Sequence, residues 1–264
     1  MLKFNQSCSN LFDIMEYKIK EILKLIEEKD HLKITDICKI TYLSRSTVRR
    51  ALIILEQKGL VKRYYGGVSL ISKTVSEKPY NLRANENIKL KEKICAKAVS
   101  FIHDSSVIFI DSSSTSYYLL NHIKRLNNIT ILTNSIEIAL YFKDYASIKV
   151  YIAPGYLKTN SVSIIGQFTV EFLSNFKVDI AFFSCKSFDY LGCFEGDEMQ
   201  AYVKKQISKN ALCNIVLCDS SKYNKNAYFR LFKYEEIDYL ISDLEISDDF
   251  SLTLKTHNCN FIKV

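Results

Sequence analysis

LSRSTVRRALIILEQKGLVKRYYGGV, residues 43–68, decides how the first third of this chain folds. Ser44 stands where a helix N-cap belongs. Val48, Ala51, Leu52 and Leu55 then follow the i, i+3, i+4, i+7 spacing of one helical face, and Gly59 occupies the C′ position. Two β-like runs come next, LVKRYY and VSLI. They meet at Gly66-Gly67, which predicts a hairpin.

Working upstream, Ile19, Ile22, Leu23 and Ile26 repeat the helical spacing and predict a helix over 11–29. A short helix is expected over Asp36–Ile40, with Thr35 as its N-cap. Helix, short helix, tight turn, helix and hairpin is the order of a winged helix-turn-helix, here over residues 1–71. The apolar stripe of the third helix fixes its buried side. Arg45, Ser46, Arg49 and Arg50 therefore point outward, with Thr47 beside them and Ser44 at the cap. Arginine forks suit guanine edges, hydroxyls suit phosphates or bases, and the N-terminus of such a helix enters the major groove. Lys62, Arg63, Tyr64 and Tyr65 give the hairpin a basic, aromatic tip. Charge agrees. The net charge is +7, and the first 80 residues hold 15 Lys and Arg against 9 Asp and Glu. A bundle with an ordinary solvated charged face is the plainer alternative.

Residues 72–87 are polar and carry Pro79, which predicts a linker over 72–83 and a second domain over 84–264. Within it, SVIFID (106–111), ITILT (129–133), IKVYIA (148–153), VDIAFFS (178–184), NIVLCD (214–219) and IDYLIS (237–242) alternate with helix-like stretches. Near-continuous apolar strands of this kind predict an α/β domain with a mainly parallel sheet covered on both faces.

Three polar motifs each follow such a strand: DSSSTS at 111–116, TNS at 133–135 and DSSK at 219–222. In an open α/β sheet, ligands bind beyond the carboxyl ends of the strands. Ser112, Ser113, Ser114, Thr115 and Ser116, followed by the helix YYLLNHI, suit an anion at a helix N-terminus. Asp111, Thr133, Asn134 and Asp219 could meet sugar hydroxyls, and Lys222 and Lys204 could supply cations. Each residue has a structural alternative. The aspartates could cap turns, the hydroxyls could cap a helix, and the lysines could be solvated.

The N-terminal stretch resembles the DeoR family of bacterial transcriptional regulators. That family's pattern runs Ser-x-x-Thr-Ile-Arg-Arg-Asp-Leu, then Leu-Glu-x-x-Gly, then Arg-x-x-Gly-Gly-Ala. Ser44, Thr47, Arg49, Arg50, Leu52, Leu55, Glu56, Gly59, Arg63, Gly66 and Gly67 match it, whereas Ala51 and Val68 depart from it. Arg83, Asn87 and Lys91 resemble the stretch that opens the family's second domain. The three strand-end motifs resemble its Asp-Ser-Gly-Thr-Thr, Thr-Asn-Ser and Asp-Ser-Ser-Lys. Ser113 stands where the family usually has glycine, and APG at 153–155 replaces a common Gly-Gly pair. The resemblance implies a sensor domain similar in fold to ribose-5-phosphate isomerase that binds a phosphorylated sugar or related metabolite. It also implies operator DNA as partner, a homo-oligomer, and most often a repressor.

Other classes fit less well. A sugar-phosphate isomerase-like enzyme with an accessory nucleic-acid-binding domain needs a positioned carboxylate base. Glu195, Asp197 and Glu198 lie in another pattern, and Cys185 has no evident activating partner. No G-x-S-x-G elbow occurs. An RNA-binding or purely structural protein has no need of three strand-end motifs. Eight cysteines without a C-x-x-C pair and four scattered histidines predict no metal or cofactor. The absence of an apolar leader or a long apolar run leads us to expect a reduced cytoplasmic setting without a membrane.

Overall fold

A computed structural model describes residues 4–29, 31–64, 66–70 and 78–264. The chain divides into two compact units, Met1–Pro79 and Tyr80–Val264. Half of the expected linker, residues 72–77, and Tyr65 lie outside the described residues. Among those described, no helix is long and apolar enough to cross a membrane.

The first unit holds α1 (Phe4–Lys29), β1 (His31–Lys33), α2 (Ile34–Thr41), α3 (Arg45–Gln57), β2 (Val61–Tyr64) and β3 (Gly67–Leu70). Ile19, Ile22, Ile26, Ile37, Val48, Ala51, Leu52 and Leu55 bury into one core with Val61 and Val68. The Ser44 hydroxyl caps α3 by accepting the Thr47 N–H at 3.2 Å. The helix ends in a Schellman turn at Gly59 (φ 68°), where Gly59 N–H donates to Glu56 O and Leu60 N–H to Leu55 O. Thr35 is not a cap. α2 begins two residues earlier, at Ile34, whose N–H is taken by the Gly66 carbonyl of the wing at 3.0 Å. β1 was not foreseen. Its three residues are too few to show alternation, and pairing with β3 completes an antiparallel sheet in the order β1-β3-β2.

The second unit opens with α4 (Tyr80–Ala84) and α5 (Ile88–Ala98). Residues 80–83, assigned to the linker on polarity, are thus helical and belong to this unit. Tyr80 is buried, and its N–H donates to Asn160 O. The sheet strands follow: β4 (Val107–Ile110), β5 (Ile129–Thr133) and β6 (Ile148–Ile152), then a hairpin of β7 (Tyr156–Leu157) and β8 (Ile164–Ile165), then β9 (Val178–Phe183). β10 (Ser187–Asp189), β11 (Gly192–Glu195), β12 (Ala211–Leu217), β13 (Phe229–Phe232), β14 (Tyr239–Ser242) and β15 (Asn260–Lys263) complete the set. Helices α6 (Leu120–Ile123), α7 (Ile136–Tyr141), α8 (Gln167–Ser174), α9 (Glu198–Ser208) and α10 (Asp248–Thr256) alternate with them.

Seven strands form one parallel sheet in the order β15-β14-β12-β9-β4-β5-β6. Both faces are buried. Phe109, Phe183, Val216 and Leu240 enter one core, and Ile108, Ile110, Phe182, Ile215 and Ile241 enter the other. This explains why the strands read as continuous apolar runs. The chain winds from β4 outward to β6, returns to β9 beside β4, and then winds the other way. The carboxyl ends of β4 and β9 therefore form the topological switch point, where an α/β sheet opens a ligand crevice. A smaller antiparallel sheet, β10-β11-β13, stands beyond β9.

Candidate functional sites

In the first unit, Arg45, Ser46, Arg49 and Arg50 are exposed on α3, and Thr47 is half-buried. Burial of Val48, Ala51, Leu52 and Leu55 forces that orientation. Ser44 is committed locally, sharing its hydroxyl with Ser46 (2.9 Å) and Thr47 (2.8 Å) besides the cap. On the wing, Lys62, Arg63 and Tyr64 are exposed. Arg63 is tethered to α3, its Nε 2.6 Å from Glu56 Oε2 and its N–H donating to Glu56 Oε1 at 2.9 Å. The backbone N–H and then the guanidinium of Arg63 hold the Glu56 carboxyl below its ordinary range. Tyr64 folds over Gly67, where any Cβ would come within 2.5 Å of its ring. Sequence reasoning passed over Tyr42. It forms the turn before α3 with a left-handed backbone (φ 55°) and is 94% exposed.

In the second unit the strand-end motifs converge at the switch point. Asp111, directly after β4, is fully buried. It accepts N–H donors from Ser113 (3.1 Å) and Ser184 (3.0 Å), and Lys204 Nζ lies 2.9 Å from it. The Lys204 ammonium also donates to Glu195 Oε1 (2.5 Å) and the Ser184 carbonyl (2.7 Å), so its three N–H bonds are all taken. Burial alone would raise the Asp111 carboxyl. The Lys204 charge and the donors from Ser113, Ser116 and Ser184 outweigh it and hold the carboxyl low. Burial likewise pulls Lys204 down, and Asp111 and Glu195 overcome it to hold the ammonium charged. Lys204, expected as a ligand cation, instead braces the floor of the crevice.

The hydroxyl run is divided among several partners. Ser112 donates to Ser163 at 2.7 Å. Ser113 bonds Ser116 (2.9 Å) and accepts its N–H at 3.1 Å. Ser113 lies outside the left-handed region, so the position takes an L-residue without strain. Ser114 and Thr115 meet lysines: Lys91 Nζ is 3.3 Å from Ser114 Oγ, and Lys222 Nζ is 3.1 Å from Thr115 Oγ1. Lys222 also donates to the Ser184 hydroxyl at 2.6 Å, and Lys91 to the Arg83 carbonyl. The helix expected after the run is only a 3₁₀ turn, Ser116–Leu119, followed by the single turn of α6. Its dipole is correspondingly slight.

Asp219 accepts from Asn87 Nδ2 (3.0 Å) and from the N–H (3.2 Å) and hydroxyl of Ser221. Burial raises this carboxyl, but Lys222, Ser221, Lys91 and Asn87 together hold it low. Thr133 is structural. Its hydroxyl donates to Ile110 O at 2.7 Å and accepts the Ser135 N–H. Asn134 donates to Ser163 Oγ (3.2 Å) and Ile164 O (3.0 Å), while its buried Oδ1 has no partner. Asp111, Asn134 and Asp219 thus stand directly after β4, β5 and β12, and Lys91 and Lys222 reach the hydroxyl run after β4 from α5 and from the loop after β12. Burial, and then the neighbouring Lys222 charge, lower Lys91 to about 8. Neither Lys91 nor Lys222 makes an ion pair among the described residues.

Two family models match the chain: the DeoR-like helix-turn-helix domain over residues 18–74 and the DeoR C terminal sensor domain over residues 86–244. The chain belongs to the DeoR family. As a DeoR-family protein it is a DNA-binding transcriptional regulator rather than an enzyme. An uncharacterized HTH-type transcriptional regulator of Haemophilus influenzae is 30% identical, over 93% of this chain and 96% of its own length. The HTH-type transcriptional regulator IolR of Bacillus subtilis is 27% identical, over 91% of this chain and 96% of its own. The glycerol-3-phosphate regulon repressor of Escherichia coli is 27% identical, over 84% and 88%. Among solved structures, ribose 5-phosphate isomerase from Plasmodium falciparum aligns at TM-score 0.39 and 19% identity, over 52% of this chain and 54% of that one.

The geometry of this DeoR-family chain suits binding more than turnover. Asp111 and Glu195 are both locked on Lys204, so neither carboxylate is free to act as a base. Cys185 is buried. That burial, with Cys193 beside it, pushes its thiol well above the ordinary value, the reverse of an activated nucleophile. Sequence reasoning had noted Lys91 and Asn87 only as matches. The chain breaks between α4 and α5 with Asn87 left-handed (φ 54°), and the Lys91 ammonium donates back to the Arg83 carbonyl across that break.

Proposed function

We propose that the switch-point crevice binds the phosphate of a phosphorylated sugar or related metabolite through Lys91, Lys222, Ser114 and Thr115. The carrying observation is the pair of ammonium groups, Lys91 and Lys222, both set against the hydroxyl run and neither within ion-pair distance of a carboxylate among the described residues. Two like charges in a half-buried site repel, and an anion between them relieves that cost. Asp219 and the Asn134 amide oxygen supply acceptors for sugar hydroxyls. Asp111 and Lys204 hold the loop in place without touching the ligand. Similarity to the glycerol-3-phosphate regulon repressor of Escherichia coli supports this ligand class and a repressor role.

Effector binding shifts the affinity of Arg45, Ser46, Thr47, Arg49, Arg50, Lys62, Arg63 and Tyr64 for operator DNA, with Ser44 setting the helix start. Such coupling requires different effector affinities in two states of the protein. The domain reading is 1–71 for DNA and, with α4 included, 80–264 for effector and self-association. A homo-oligomer in the cytoplasm presents paired α3 helices to paired half-sites. Calorimetric titration with inorganic phosphate and a panel of sugar phosphates tests the reading. We expect binding that Lys222→Ala weakens at least tenfold. No heat from any of these ligands overturns it.

A further inference from the structure

Lys186 follows Ser184 by two positions, immediately beyond β9 at the switch point. Its N–H donates to Phe194 O, which anchors it to β11. Its side chain lies over Gly196, where a Cβ would stand 2.8 Å from Lys186 Cδ and 3.1 Å from its Nζ. Glycine there lets the side chain lie directly against the backbone. Gly196 adjoins Glu195, whose carboxylate is already held by Lys204. The Lys186 ammonium nitrogen is enclosed and has no hydrogen-bond partner among the described residues.

An enclosed ammonium without an acceptor is unfavourable on its own. The nearby carboxylates do not relieve it. Glu195 and Asp111 face Lys204, Asp219 faces Asn87 and Ser221, and Lys158 lies 3.4 Å from Asp197. Lys186 also stands apart from the phosphate-binding groups. Those are reached from α5 and from the loop after β12, and they meet Ser114 and Thr115. Lys186 comes instead from the β9–β11 side. We propose that Lys186 binds a second anionic group of the effector, so that the crevice takes a metabolite acidic at both ends. A phosphorylated sugar acid and a sugar bisphosphate share that chemistry. This inference rests on the phosphate reading above and adds the second charge to it.

The full-length protein is titrated calorimetrically with four probes: inorganic phosphate, glucose 6-phosphate, 6-phosphogluconate and fructose 1,6-bisphosphate. Wild type, Lys186→Gln and Lys186→Arg are compared. The expected result is at least about tenfold tighter binding of one doubly acidic probe than of glucose 6-phosphate, as suits a charge-assisted hydrogen bond. Lys186→Gln abolishes that margin, Lys186→Arg restores much of it, and inorganic phosphate binding is the same in all three. Preference for 6-phosphogluconate identifies a carboxylate, and preference for the bisphosphate identifies a phosphate. The proposal is overturned if neither doubly acidic probe is preferred or if the margin survives in Lys186→Gln. Failure of inorganic phosphate to bind would instead remove the Lys91–Lys222 reading, and it is read separately.

Discussion

Lys222 Nζ lies 2.6 Å from the Ser184 hydroxyl, and that hydroxyl donates in turn to Leu217 O at 2.6 Å. The loop after β12 is thus tied to the end of β9, across the point where the sheet reverses its winding. Lys222 also reaches Thr115 beyond β4, so one ammonium joins three strand ends. Lys222→Ala removes the most central cation of the crevice. Calorimetry should show phosphate-ester affinity falling by about 10- to 100-fold, the usual worth of a charged hydrogen bond. Operator affinity without effector should stay within about twofold. A variant that binds phosphate esters like wild type would take Lys222 out of the site.

Lys91 gives effector binding a defined pH window. Arg83 and Glu86 flank it from its own segment, and Lys222 and Asp219 approach from the loop after β12. Its ammonium, the form that attracts a phosphate, predominates below about 8 and is lost above it. Affinity should therefore hold from roughly pH 6, where a phosphate monoester gains its second charge, up to about pH 8. Above that it should fall by up to about tenfold per pH unit, because binding must then take up a proton. Lys91→Arg, with a group charged throughout, should flatten the alkaline limb. An alkaline limb unchanged in Lys91→Arg would assign the titration elsewhere.

The parts legible in sequence share one property: their signal is local. α3 declared itself through a capping serine, a four-residue apolar stripe and a C′ glycine, all within one short window. The central strands did so because burial on both faces makes each a continuous apolar run. β10 and β11 form a local hairpin whose three- and four-residue strands are too short to show alternation; β13 was missed because it joins β11 from far along the chain, with a register shift between Cys193 and Phe194. The strand-end motifs were legible as polar letters after apolar runs, but the division of labour within them was not. Lys204 looks like any helix lysine until Asp111 and Glu195, from distant segments, are brought against it. Lys186 carries no sequence signal at all. Its meaning depends on the glycine it crosses.

Lys204 tests the distinction between bracing the crevice and contacting the ligand. Lys204→Met leaves Asp111 and Glu195 buried together without their cation, and breaking a buried pair this way costs about 3–5 kcal/mol. The urea midpoint of the second unit should fall accordingly. Glu195→Gln should cost less, because it keeps Asp111 and Lys204 balanced one to one. Equal losses in the two variants, or a loss near zero in Lys204→Met, would contradict the brace.

The last test concerns the DNA-reading face, where the structure separates residues that share a helix. Arg49 and Arg50 are exposed and make no ion pair among the described residues, so their guanidinium forks are open to base edges. Arg63 is held by Glu56 instead. Arg49→Ala and Arg50→Ala should each weaken specific operator binding by about 1–3 kcal/mol where a bidentate base contact is lost. Glu56→Gln should act differently. It leaves α3 intact but loosens the tether between the helix and the wing. The effect should be smaller, spread evenly over specific and non-specific DNA, and more sensitive to salt, as suits a backbone contact. Fluorescence anisotropy on operator and scrambled duplexes at two salt concentrations separates these outcomes. Equal losses on both duplexes for Arg49→Ala and Arg50→Ala would show that α3 grips phosphates and does not read bases.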